Sequence, residues 1–108
     1  MKNLKYVCLT FFMSMAVQAK EVQIIQKDKK FSQKEIILDT GDSISFKNDE
    51  KDITHNVFSL GPVNSFELKS QPPGQVSKVE FNKEGVTEVE CAIHTGMKLK
   101  VTVKSKSK

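Results

Sequence analysis

Tryptophan and arginine are absent from this chain of 108 residues; tyrosine occurs once, and cysteine and histidine twice each. There is no internal repeat and no linker, which excludes a multidomain enzyme at this length. No apolar run approaches the ~20 residues needed to cross a bilayer. The longest, Tyr6–Val17, holds about a dozen, follows Lys2 and Lys5, and leads into Val17-Gln18-Ala19 ahead of a charged stretch. A short apolar run behind positive charge, closed by small residues, predicts a cleaved secretory signal over residues 1–19. Stable membrane insertion is therefore not expected, and a periplasmic location is.

Cleavage after Ala19 sharpens the scarcity. The remaining 89 residues, Lys20–Lys108, keep one cysteine (Cys91), two histidines (His55, His94) and one methionine (Met97), with no tyrosine. Fifteen lysines face 13 acids, and Lys104, Lys106 and Lys108 fall in a K-S-K-S-K end that is expected to be a flexible tail, residues 104–108. The body is then close to neutral, so it lacks the clustered basic face that nucleic acid requires. A single cysteine excludes an internal disulfide. Small secreted domains usually need such a bridge or a metal, because their cores are modest. Cys91 must therefore be buried, paired between chains or bound to something. Cys8 lies inside the apolar signal and is the weak choice of partner.

What is present reads as short strands. Candidates are Val22–Ile25, Glu35–Leu38, Ser43–Lys47, His55–Leu60, Val76–Phe81, Val86–Cys91 and Lys98–Lys104. They are separated by Asp28-Lys29-Lys30, Thr40-Gly41-Asp42, Gly61-Pro62, Pro72-Pro73-Gly74 and Asn82–Gly85. Ile44 and Phe46 alternate with Ser43, Ser45 and Lys47, and Leu99, Val101 and Val103 alternate with lysines and Thr102, the period of a half-buried strand. Val86, Val89 and Cys91 are read as inward-facing with one slip in phase. No window of ten residues carries a helical period. The expectation is an all-β, Greek-key β-sandwich of seven to eight strands, one domain over residues 20–103. The loop bearing Asp49, Glu50 and Asp52 is expected to be solvated, with a docking patch as the lesser alternative.

The chemistry concentrates at residues 91–97, C-A-I-H-T-G-M, with His55 standing upstream in D-I-T-H-N-V-F. Alone, Cys91 would be an inert core thiol, either histidine a hydrogen-bonded loop residue, and Met97 a gap-filler. Together they are two imidazoles, one thiolate and one thioether, the ligand set of a blue-copper electron-transfer centre. Thiolate and thioether favour Cu(I) and imidazole tolerates Cu(II), so a site between the two preferences rearranges little on redox. Three donors within seven residues can fold around one ion, and His55 from another strand would staple the sandwich. The candidate metal ligands are His55, Cys91, His94 and Met97, and the cofactor is one copper ion.

With these motifs the chain resembles the cupredoxins of the plastocyanin and amicyanin type over about Ile36 to Val103. The resemblance is carried by G-D-S-I-S-F-K-N at Gly41–Asn48, H-N-V-F at His55–Phe58, Pro73-Gly74, and C-A-I-H-T-G-M at Cys91–Met97. The short C-x-x-H-x-x-M loop is similar to that of amicyanin. The resemblance implies the cupredoxin fold and the same four copper ligands. It further implies that Asn56 ties the two ligand loops together, with a backbone N–H toward the thiolate and Thr95 as its partner across the gap. It implies an exposed edge of His94 as the electron exit, and transient redox partners such as a c-type cytochrome, a dehydrogenase or an oxidase, visited as a monomer. One departure is Ile93, where these relatives commonly carry proline; Ile93 keeps a backbone N–H that could donate to the sulfur.

Three functions are thereby distinguished. A soluble, non-enzymatic one-electron carrier uses all four residues. A periplasmic copper chaperone or storage module would share the ligands, but a single methionine argues against it. A thiol enzyme using Cys91 with a histidine base would need an orienting acid and an oxyanion hole, for which no motif is evident.

Overall fold

The computed structural model describes residues 18–106. The signal expected over residues 1–19 therefore falls almost wholly outside the described residues, Cys8 with it, as do the last two residues of the tail. Among the described residues there is no helix, and the nine strands are β1 (Glu21–Lys27), β2 (Lys30–Phe31), β3 (Glu35–Asp39), β4 (Asp42–Asn48), β5 (Val57–Ser59), β6 (Phe66–Glu67), β7 (Val76–Phe81), β8 (Gly85–Cys91) and β9 (Lys98–Lys104). They form two facing sheets, ordered β2-β1-β4-β7 and β3-β9-β8-β5-β6, with β1·β4 and β3·β9 parallel. Parallel neighbours far apart in the chain require crossovers, and the chain passes between the sheets after β2, β3, β4, β6 and β7. This is the expected sandwich.

All seven expected strands are present, although the one expected over His55–Leu60 is reduced to Val57–Ser59 and leaves His55 outside it, and the two additional strands hold two residues each. Such pieces are too short to show a period. β2 arises from a two-residue hairpin in which Asp28 (φ 54°) and Lys29 (φ 58°) are both left-handed, the twist that matches antiparallel neighbours. Asn-Gly or Asp-Gly would have announced that turn; Asp-Lys does not. Pro72-Pro73-Gly74-Gln75 closes as a turn with Gln75 N–H on the Pro72 carbonyl at 3.1 Å, and Gly74 takes the positive φ (87°) that such a turn demands.

The inner faces meet in a core containing Ile24, Leu38, Ile44, Phe46, Val57, Phe81, Val89, Leu99 and Val101. Phe46 is central, stacked on Phe66 at 5.9 Å and edge-on to Phe31 at 6.2 Å; burying one such side chain stabilises by about 1.5–3 kcal/mol. β9 alternates as expected. β8 differs: Thr87, Val89 and Cys91 point inward in strict alternation, and Val86 is 46 % exposed, so there is no slip in phase. A buried threonine is tolerated because its hydroxyl donates to the Val63 carbonyl at 3.2 Å. β4 is not half-buried but almost wholly buried, since it runs between β1 and β7 and Ser45 is covered by Glu21, whose carboxylate accepts the serine hydroxyl at 2.8 Å. The tail also begins later than expected. Lys104 pairs with Asp39 inside β9, and the Lys106 N–H donates to Thr40 Oγ1 at 3.3 Å.

Candidate metal centre

The site lies where β5 begins beside the end of β8. Val57 pairs with Cys91, the last residue of β8. Beyond that pair the Ala92 N–H donates to the Asn56 carbonyl at 2.8 Å, and the Asn56 N–H points at Cys91 Sγ at 3.4 Å. The chain then turns back within four residues, Met97 N–H donating to the His94 carbonyl at 3.1 Å, and enters β9. Met97 is 1 % exposed and lies in the same buried cluster as Cys91, which is 3 % exposed.

His55 precedes β5 and is fully buried. It is held by an antiparallel bridge to Gln71, whose N–H and carbonyl meet those of His55 at 2.8 and 3.1 Å. Gln71 is fully buried too, and its side chain donates to the Phe46 and Gln75 carbonyls and accepts from Gln26 Nε2. Asn48 completes the support, donating to the carbonyls of Ile53 and Gln71 and accepting the Glu50 N–H. A loop that would otherwise be loose is thus built on buried, hydrogen-bonded polar groups.

Three donor atoms converge: His55 Nδ1 and His94 Nδ1 are 3.1 Å apart and lie 3.7 and 3.6 Å from Cys91 Sγ. The rings cross at 66°. The other nitrogen of His55, Nε2, sits 3.0 Å from Glu50 Oε2. An ionised carboxylate only accepts, so the His55 proton is assigned to Nε2 and its Nδ1 lone pair faces the cluster. The His55 Nδ1 lone pair, the facing imidazole nitrogen of His94 and the Cys91 sulfur are aimed at one small space, and this nitrogen–sulfur set fits copper. His94 is held below the ordinary imidazole pKa, by burial first and then by the charges of His55 and Lys29, against the pull of Glu50.

Asp49 and Asp52 are exposed as expected of their loop, and Glu50 departs from it. The residue is turned inward, its side chain 7 % exposed. Burial alone would raise its pKa, but the Lys29 N–H, the His55 ring and the Asp28 N–H outweigh it and hold the carboxyl below its usual range. One carboxylate thus fastens both the left-handed β1–β2 turn and the buried imidazole. Sequence reasoning missed it, along with Gln26, Asn48 and Gln71; an acid five residues before a candidate ligand was the only signal. The inferred tie between Asn56 and Thr95 is also corrected. Asn56 joins the loops through its backbone, its side-chain Oδ1 is buried without a partner, and Thr95 is exposed. Nor does the Ile93 N–H reach the sulfur; Ile93 is 53 % exposed beside half-buried His94.

A two-sheet sandwich with two imidazoles and a thiol gathered at one end defines a cupredoxin-type copper protein. The chain belongs to the copper-binding plastocyanin/azurin family, whose model matches residues 15–104. Among solved structures it is similar to an amicyanin variant in its Cu(I) form (20% identity, 77% of this chain and 81% of that chain, TM-score 0.70). It is similar to a purple cupredoxin from Nitrosopumilus maritimus (22% identity, 77% and 99%, TM-score 0.67). It also resembles part of a copper-containing nitrite reductase from Thermus scotoductus SA-01 (20% identity, 91% of this chain and 25% of that one, TM-score 0.73). No curated protein sequence matches significantly.

Proposed function

We propose that the protein is a periplasmic one-electron carrier whose copper is held by His55, Cys91, His94 and Met97. The observation that carries this reading is the convergence of His55 Nδ1, His94 Nδ1 and Cys91 Sγ, no two more than 3.7 Å apart, on supports that are already hydrogen-bonded. A copper ion held there supplies one-electron chemistry, cycling between Cu(I) and Cu(II). The chain's own part is to keep the donors still. The Gln71 bridge and Glu50 fix the His55 ring, the Asn56 N–H supports the sulfur, and the turn from His94 to Met97 holds the loop. Small movement between oxidation states lowers the barrier to transfer. Half-buried His94 is the point where an electron leaves for a transient protein partner, a c-type cytochrome or an oxidoreductase. No helix among the described residues is long and apolar enough to cross a membrane. Buried, pre-set donors with one thioether suit electron transfer better than the open, methionine-rich ligation of a chaperone.

Adding Cu(II) to the metal-free protein tests this. The expected result is a strong absorption near ~600 nm from thiolate-to-copper charge transfer, bleached by a one-electron reductant and restored by an oxidant. A colourless product that retains only Cu(I) would support the chaperone instead.

A further inference from the structure

Asp42, at the opposite turn of the sandwich from any donor described above, is 2 % exposed. It opens β4, and its carboxylate accepts the Asp39 N–H through Oδ2 at 2.8 Å and the Lys20 N–H through Oδ1 at 3.0 Å. The Lys20 ammonium lies 3.6 Å from Oδ2. The Lys20 carbonyl in turn accepts the Ser43 N–H at 3.0 Å, which starts the β1·β4 ladder. Lys20 is therefore the residue at which the body of the fold takes hold of the chain. Gln18 and Ala19 before it are exposed and carry no secondary structure. The same junction is the one at which the small residues of Val17-Gln18-Ala19 give way to charge.

We infer that the chain is cut between Ala19 and Lys20, and that Asp42 is the built receptor for the new α-ammonium of Lys20. In the cut, water adds across the amide under a secretory peptidase. The hydroxyl goes to the Ala19 carbonyl carbon, which departs as a carboxylate, and the Lys20 nitrogen leaves as a free amine that is protonated at neutral pH. The nitrogen already within 3.0 Å of Asp42 changes from a neutral amide donor to a cation with three donors. A charge-assisted hydrogen bond to a buried carboxylate is about twice as strong as a neutral one. The uncut chain makes the weaker contact, and the mature chain the stronger, so processing tightens the start of β1. All nine strands lie within residues 21–104, so the cut removes none of them. This inference does not rest on copper.

The test has four arms, beginning with the protein recovered after export. Intact mass should place the N-terminus at Lys20; a terminus at any other residue overturns the inference. Urea unfolding should then show a shift of about tenfold in the folding equilibrium, in favour of the free amine, between the native form and one whose α-amine is acetylated. The same comparison in D42N should lose most of that difference. An unchanged midpoint on acetylation, or a difference that persists in D42N, overturns the receptor role. A form retaining Ala19, by moving the amine one residue away, should behave like the acetylated one, and this arm stands even if D42N fails to fold.

Discussion

Glu50 Oε2 lies 3.0 Å from His55 Nε2, and the same oxygen accepts the Lys29 N–H at 3.0 Å. A carboxylate behind an imidazole fixes the ring's tautomer and raises its basicity, and such partners influence a bound metal almost as strongly as its ligands.

Replacing Glu50 with alanine is expected to weaken copper affinity about 10- to 100-fold, with glutamine recovering part of it by keeping an acceptor for Nε2–H. Competition against a chelator of known affinity reads this, alongside the visible spectrum of the loaded protein. Equal affinities for wild type and E50A would remove Glu50 from the site.

Cys91→Ser is expected to abolish the absorption near ~600 nm, because the band requires the thiolate. Met97→Gln should keep the colour and lower the reduction potential, since a weak axial donor tunes the ion without defining the plane of the other three. A colourless M97Q, or an unchanged potential in voltammetry, would contradict the roles given to these residues.

The support beneath His55 should be sensitive. Gln71→Ala strands Gln26 Nε2 and the Phe46 carbonyl in a fully buried setting. A loss of about 1–3 kcal/mol per stranded group is expected in urea denaturation. A change below ~0.5 kcal/mol would mean that water replaces the side chain without penalty.

Gly85 has φ 138°, and a Cβ there would meet Val63 Cγ2 at 2.9 Å. Gly85→Ala should therefore destabilise by about 1–3 kcal/mol, from backbone strain and crowding together. Adding Val63→Ala should restore only part of the loss, because it removes the clash and leaves the φ. Full recovery in the double variant would show that φ carries no strain.

Asp42 gives an acid limb to stability. Burial would raise its pKa, but the Asp39 and Lys20 N–H groups and the Lys20 charge outweigh it, so the folded value is depressed. Its contribution is then complete above the unfolded carboxylate value, ~4, and disappears as pH falls through the folded one. D42N should be less stable at pH 7 and should converge toward wild type as pH falls below the unfolded carboxylate value. Parallel curves throughout the acid range would show that Asp42 is not depressed.

The ligand inventory and the strand pattern were readable from residues alone, since Cys91, His94 and Met97 are local in sequence and a period of two survives without context. The two-residue strands β2 and β6 and the inward turn of Glu50 were not, because each depends on a partner distant in the chain. The burial of Ser45 illustrates the same limit: in sequence it alternates like a solvent-facing residue, and only β1 and β7 on either side of β4 cover it.

By itself, then, the sequence determined which donors exist and that they stand on a β framework, because composition and short-range spacing need no third dimension. Only the tertiary structure decided how His55 is held. Its bridge to Gln71, the carboxylate behind it and the Asn56 N–H on the sulfur come from segments brought together when two sheets close over one core. Hydrogen bonds from those segments also set the charge of Glu50, because the Lys29 and Asp28 N–H groups and the His55 ring outweigh its burial and hold the carboxyl below its usual range.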